Sequence, residues 1–114
     1  MAGPGNFDVR LERLDGALVV SPHGEIDLAT VGLVREAVER ELSDGEALAL
    51  DLRGVGFMDT SGLRYVLELH GRAERGELEL RLVRGAGAVQ RVFEVAGLDV
   101  RLPFVEGPMD RPAN

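Results

Sequence analysis

The fold is decided by residues 47–63, which read ALALDLRGVGFMDTSGL. Residues 47–52 are apolar except for Asp51, a pattern typical of an interior strand in a parallel sheet that is covered on both faces. After a connection over residues 54–58, apolar residues recur every three or four positions from about Ser61, which predicts a helix that stops by Gly76. The side chains that this helix is expected to bury are Leu63, Val66, Leu67 and either His70 or Ala73.

The chain before this segment predicts a hairpin and then a helix. Residues 7–12 alternate apolar and polar side chains, and Asp15-Gly16 precedes a second apolar run over residues 17–20. From Asp27 the apolar spacing changes to three and four residues, which indicates an amphipathic helix with Asp27 as its N-cap. The expected apolar face consists of Val31, Val34, Val38 and Leu42.

The chain after the segment adds a strand, a helix and a final strand. Residues 77–83 alternate, a third helix carries Val89, Val92, Phe93 and Ala96 to a stop at Gly97, and a short strand is expected over residues 99–102. The predicted fold class is therefore α/β, in which an N-terminal hairpin is followed by three strand-helix-strand units that form a mixed sheet with packed helices. We expect one folded domain over residues 7–104, a disordered N-terminus over residues 1–6 and a flexible tail over residues 105–114, because both ends are rich in glycine and proline.

Composition excludes several classes of function. The 114 residues are enough for one domain, and 13 basic against 20 acidic residues give a net charge of -7, which argues against nucleic acid as a partner. All the basic residues are arginine, so mechanisms that need a lysine are excluded, and the absence of cysteine excludes thiolate chemistry. No stretch approaches the roughly 20 apolar residues of a membrane span. We therefore predict a cytoplasmic protein that has no membrane partner and is a monomer when free.

Two junctions between strands and helices concentrate polar residues. Asp59, Thr60 and Ser61 precede the second helix, where their side chains could simply cap it. Three capping residues in a row exceed what one helix needs, and Met58 beside them is expected near the surface, so an interaction surface is an equal alternative. At the other junction, Asp27 could likewise be only a cap. If both helices begin at the same edge of the sheet, Asp27 should lie near Asp59.

At these residues the sequence resembles a known family. Residues 56–63, together with Gly24-Glu25-Ile26-Asp27, are similar to the STAS domain of anti-sigma factor antagonists, also called anti-anti-sigma factors, and the resemblance extends from about Phe7 to Phe104. It implies a binding protein rather than an enzyme, with no cofactor and no metal. In that family the unmodified antagonist binds an anti-sigma factor that is a serine/threonine kinase and so frees a sigma factor. Phosphorylation abolishes the binding, and a PP2C-type phosphatase restores it.

The resemblance also implies the site residues. The family's phosphoacceptor is the hydroxyl residue directly after the aspartate, which is Thr60 here; because serine is commoner at that position, Ser61 remains a second candidate. The implied partner-binding residues are Glu25, Asp27, Met58, Asp59, Thr60, Ser61, Gly62 and Leu63.

Two alternatives stay open. A STAS domain could serve as a scaffold or interaction module in another regulatory complex without a dedicated anti-sigma kinase. An enzyme that forms a phosphoaspartate could hold Mg²⁺ with Asp27, Asp51 and Asp59, but such chemistry expects a lysine at the phosphoryl group, and the chain has none.

Overall fold

The computed structural model describes residues 3–112, in which six strands and three helices follow one another along the chain. Their order and bounds are β1 (Asp8–Leu14), β2 (Ala17–Ile26), α1 (Val31–Glu41), β3 (Ala47–Asp51), β4 (Val55–Met58), α2 (Thr60–Glu74), β5 (Glu79–Val83), α3 (Gly87–Val95) and β6 (Phe104–Val105). The predicted α/β class, the hairpin and the three strand-helix-strand units are confirmed.

The strands form one mixed sheet in the order β1-β2-β3-β5-β6, so that β3 is central as predicted. Among the strand pairs of residues 3–112, only β1–β2 is antiparallel. Its turn is Asp15-Gly16, with φ of 43° and 80°, the left-handed conformations that a two-residue hairpin needs. All five residues of β3 are buried. The apolar run therefore marks an interior strand, as its sequence indicated.

Strand β2 is long enough to pair with two neighbours in succession. Residues 17–20 pair with β3, and residues 24–26 then pair in parallel with β4. The sequence predicted residues 54–58 to be a plain connection, and this was wrong: residues 55–58 form β4. A four-residue strand gives no periodicity of its own, and its pairing with β2 is what orders it.

One hydrophobic core lies between the sheet and the helices. Leu18, Leu48, Leu50 and Leu82 are each 1% exposed or less and join side chains from all three helices in one cluster. Because side chains alternate along a strand, the neighbouring positions point to the opposite face of the sheet. There Arg81 Nη1 donates to the Pro108 carbonyl at 3.0 Å, so the chain after β6 lies against that face.

Two local predictions, on the start of the first helix and on the last strand, are corrected. The first helix begins at Val31 with Thr30 as its N-cap, not at Asp27. The last strand is Phe104–Val105, whereas residues 99–102 form a turn. The position of β6 depends on its pairing with β5, and the local sequence does not show which residues will make that pairing.

The buried face of α2 also differs from the prediction. Gly62, Tyr65, Val66 and Leu69 are buried, while Leu67 is 39% exposed. Both sets have helical spacing, but only the observed one includes glycine. Because glycine has no side chain, Gly62 can lie close to Met58 and Ile26, and the helix turns this side toward the sheet.

Contacts are described near both ends of the chain. The Gly3 backbone N–H donates to the Phe7 carbonyl at 2.8 Å, and Val105 is buried in β6. Residues 1, 2, 113 and 114, which belong to the predicted disordered N-terminus and flexible tail, lie outside the described residues. The mobility of either end and the domain bounds of 7 and 104 stay predictions.

Candidate functional site

The start of α2 is built on a capping aspartate. Asp59 is the N-cap, and its Oδ1 accepts hydrogen bonds from the Ser61 backbone N–H, at 2.8 Å, and from the Ser61 hydroxyl. The Asp59 backbone N–H donates to the Ile26 carbonyl at 3.1 Å, which ties the helix start to the end of β2. The capping role that the sequence allowed for Asp59 is therefore present, and it also occupies the Ser61 hydroxyl.

The Asp59 carboxylate is held in its charged form. The hydrogen bond from the Ser61 hydroxyl is the main cause of a lowered pKa, and backbone N–H groups of Ser61 and Gly62 add to it against a smaller opposing effect of burial. A fixed negative charge therefore lies directly beside Thr60.

Thr60 differs from Ser61 in both exposure and hydrogen bonding. Thr60 is exposed, and its hydroxyl has no hydrogen-bond partner within residues 3–112. Ser61 is half-buried, and its hydroxyl donates to Asp59. Of the two predicted acceptor candidates, the structure leaves the Thr60 oxygen available to solvent.

Asp27 lies beside this helix start, as the sequence led us to expect. Strands β2 and β4 run in parallel with Ile26 opposite Met58, so the residues that follow them are neighbours. Asp27 Oδ1 accepts from the backbone N–H groups of Ala29 and Thr30 at 2.9 and 3.1 Å. It therefore caps the turn before α1 rather than the helix itself.

The Thr30 hydroxyl stabilises the turn at Asp27 through two hydrogen bonds. Thr30 Oγ1 donates to the Glu25 carbonyl at 2.7 Å and accepts from the Asp27 backbone N–H at 2.9 Å. Glu25 is exposed, opposite Phe57 in the β2–β4 register. One residue earlier, Gly24 has φ of 116°, at the point where the register of this pair shifts. A glycine is required there because side-chain-bearing residues rarely adopt this conformation.

Met58 and Gly62 form the buried support of the site. Met58 is 2% exposed, so the prediction that it lies near the surface was wrong. A Cβ placed on Gly62 would lie 2.3 Å from Met58 Cγ and 3.0 Å from Ile26 Cγ2. The glycine thus lets α2 begin directly on the ends of β2 and β4, which presents Thr60 outward.

An apolar groove of about 420 Å³ begins at Thr60 and runs between α2 and α3. We call it the α2–α3 groove; it is lined by Thr60, Leu63, Ala88, Arg91, Val92, Val95 and Ala96. Val95 is 83% exposed, which is unusual for valine in a helix. Leu63 was predicted as a site residue, but the α3 side of the groove was not.

Two further apolar side chains are exposed on β4 and on the turn before α1. Phe57 is 49% exposed and Leu28 is 84% exposed. Phe57 lies three residues before Thr60, and Leu28 directly follows Asp27.

Asp51 pairs with Arg53 and not with Asp27 or Asp59. Burial alone would raise the pKa of Asp51, but the hydrogen bonds and charge of Arg53, at 2.7 Å, leave it lowered. Within residues 3–112, no three His, Cys, Asp or Glu side chains are placed to hold a metal ion. The structure therefore does not bring Asp27, Asp51 and Asp59 together as a magnesium site.

A family model described as the STAS domain matches residues 8–107. This chain belongs to the STAS domain family. It is 33% identical over 90 residues to the anti-sigma-B factor antagonist of Listeria monocytogenes, an alignment that covers 76% of this chain and 79% of the relative. It is 29% identical over 100 residues to the anti-sigma-F factor antagonist RsfB of Mycobacterium tuberculosis, covering 87% of this chain and 81% of that protein.

A solved structure agrees with these relatives. The crystal structure of an anti-sigma factor antagonist from Mycobacterium paratuberculosis matches this STAS domain with a TM-score of 0.75 and 29% identity, covering 94% of this chain and 92% of the other. The predicted family resemblance is confirmed. Among the described residues, none of the helices has both the length and the apolar composition needed to cross a membrane.

Proposed function

We propose that this STAS domain is an anti-sigma factor antagonist, switched off by phosphorylation at Thr60. In its unphosphorylated form it binds an anti-sigma factor that is a serine/threonine kinase, and this binding releases a sigma factor. A PP2C-type phosphatase restores the active form. The observation that carries the proposal is that Thr60 is exposed in the lining of the α2–α3 groove, and that its hydroxyl has no hydrogen-bond partner in the described part of the chain.

The chemistry of the switch is a simple transfer. A bond forms between Thr60 Oγ1 and the γ-phosphorus of ATP, the bond from that phosphorus to the β-phosphate oxygen breaks, and ADP and the hydroxyl proton leave. The acceptor oxygen must be free to approach the nucleotide, as Thr60 Oγ1 is. Ser61, in contrast, is half-buried and its hydroxyl donates to Asp59.

The groove supports the proposal that the anti-sigma factor docks across Thr60. Leu63, Val92 and Val95 offer apolar contacts beside the hydroxyl, and Phe57 extends the apolar surface on β4. A docked partner would cover a neutral hydroxyl before phosphorylation. After it, the same contact would have to bury about -1.5 to -2 charges, a penalty of several kcal/mol.

Such a switch needs no refolding of the antagonist. At the exposed start of α2 the helix dipole favours a phosphate by only about 0.3–1 kcal/mol, and Asp59 opposes it. Because about 1.4 kcal/mol is a tenfold change in affinity, local exclusion of the partner is enough to release it. We propose that the protein acts in the cytoplasm. We also propose that it is a monomer when free and does not bind nucleic acid, because its net charge of -7 disfavours both associations.

The proposal is tested by mixing the protein with each anti-sigma kinase of its own cell and ATP, and locating the phosphate by mass spectrometry. We expect Thr60→Ala to fold, to bind the kinase and to remain unmodified, whereas the matched Ser61→Ala is modified normally. Phosphate on Ser61 in the Thr60→Ala protein would move the acceptor role to Ser61.

Thr60→Glu provides a binding test of the same mechanism. Its carboxylate should weaken the complex at least about tenfold, or 1.4 kcal/mol, measured by titration calorimetry. If no kinase binds or modifies the protein, the anti-sigma function fails and the scaffold alternative is favoured.

A further inference from the structure

Most arginines of this chain are committed to carboxylates. Nine of the thirteen form ion pairs within residues 3–112, and four form neither an ion pair nor a hydrogen bond there. The four are Arg64, Arg91, Arg101 and Arg111. These four arginines are therefore the ones not already paired with a carboxylate in the described part of the chain.

Two of these four arginines flank Thr60. Arg64 is four residues further along α2, which places it on the same side of the helix one turn away. Arg91 lies on α3 and lines the α2–α3 groove together with Thr60. A group attached to Thr60 would therefore have one of these arginines a helical turn away on α2 and another in the lining of the same groove.

The carboxylates nearest in sequence do not neutralise these arginines. Glu68, one turn beyond Arg64, pairs instead with Arg35. Glu94, one turn beyond Arg91, forms no ion pair within the described part of the chain. Both guanidinium groups are thus available to an incoming anion, and guanidinium binds phosphate through two parallel hydrogen bonds.

We propose that Arg64 and Arg91 bind the phosphate of phosphorylated Thr60, so that it bridges α2 and α3 over the mouth of the groove. The inference rests on the proposed function for its biological role and adds a second effect to charge exclusion. The phosphate would be fixed in place where the partner's apolar side chains would dock. The positive end of α2 assists, and Asp59 opposes the pairing.

The test uses protein with phosphothreonine incorporated directly at position 60, so that no kinase is needed. A titration followed by ³¹P NMR measures the second pKa of the phosphate in the folded protein and in the same protein unfolded in urea. Two nearby cations favour the dianion, so we expect the folded value to be lower by about one unit. Arg64→Gln and Arg91→Gln should each remove a substantial part of the shift, and Arg91→Lys should retain more of it than Arg91→Gln.

Arg111→Gln is the matched control. Arg111 is also exposed and has no ion pair among the described residues, but it lies in the chain after β6, near the segment held on the opposite face of the sheet. Its loss should therefore leave the shift unchanged. Equal pKa values in folded and unfolded protein would overturn the inference. A shift that survives both glutamine substitutions would also overturn it, because the helix dipole alone would then explain the shift.

The outcome separates the inference from the proposed function. If the shift depends on the two arginines but phosphorylated protein still binds the anti-sigma kinase, the phosphate pairing stands and the switch fails. If binding is lost but neither arginine affects the phosphate, the switch stands and the pairing fails.

Discussion

Replacing Val95 by serine should weaken binding to the anti-sigma factor while leaving the fold intact. Val95 is the last residue of α3, lines the α2–α3 groove and is 83% exposed in the free protein. Because it makes little contact within the chain, its truncation should change the free energy of unfolding by less than about 0.5 kcal/mol. Serine and valine have similar helix propensities, so α3 itself should be unaffected.

The expected loss of affinity follows from the exposed fraction. Full burial of a valine side chain contributes about 1.5 kcal/mol, so covering the exposed 83% of Val95 contributes about 1.2 kcal/mol to the complex. A serine hydroxyl that is buried without a partner costs roughly 1 kcal/mol more. The sum of about 2 kcal/mol corresponds to roughly thirtyfold in Kd.

The chain offers a matched control for this measurement. Val100 is 87% exposed but does not line the groove, so Val100→Ser removes the same atoms from a different surface. Titration calorimetry with the anti-sigma kinase should show the loss for Val95→Ser alone, and urea unfolding should show both variants to be as stable as the parent. Affinity within twofold of the parent for Val95→Ser, or an equal loss for Val100→Ser, would refute docking at the groove.

Two further predictions concern the support of the site. In Gly62→Ala the new Cβ would lie 2.3 Å from Met58 Cγ and 3.0 Å from Ile26 Cγ2. Overpacking of this kind costs about 1–3 kcal/mol, more than the roughly 1 kcal/mol that alanine gains in helix propensity, so urea unfolding should show a loss of stability, and a gain would contradict the packing argument. Asp59→Ala should lower the unfolding free energy by about 1 kcal/mol at neutral pH, because the N-cap is lost. The folded pKa of Asp59 is depressed, so its stabilisation is present above the unfolded value of 3.8 and is lost as pH falls through the folded value. Chemical denaturation across acidic pH should therefore show the parent and variant converging, and a constant difference would exclude the charged cap.

Much of the candidate site could be predicted from local sequence. The consecutive residues Asp59, Thr60 and Ser61 indicated a helix start with spare hydroxyls, because capping chemistry depends on side chains within three residues of one another. The proximity of Asp27 followed from the expectation that both helices begin at one edge of the sheet. The sequence did not show which hydroxyl is free, because that depends on the rotamer in which Ser61 reaches Asp59.

The α3 side of the groove could not be predicted in the same way. Val92 was named among the apolar residues of the third helix and is half-buried, while Val95 was not singled out at all. The helix carries more apolar positions than one face can bury, so its periodicity does not say which of them stay outside. Their exposure depends on where α3 packs against β4, a contact between distant parts of the chain.

By itself, the sequence determined those features whose physical cause is local. The apolar run of β3, the Asp15-Gly16 turn and the cap at Asp59 each depend on the chemistry of a few adjacent residues. Only the tertiary structure decided that β4 pairs with the end of β2, that Met58 is buried, and that Arg91 of α3 lines the same groove as Thr60 of α2. These arrangements depend on contacts between residues far apart in the chain, and such contacts exist only once the sheet and helices have packed together.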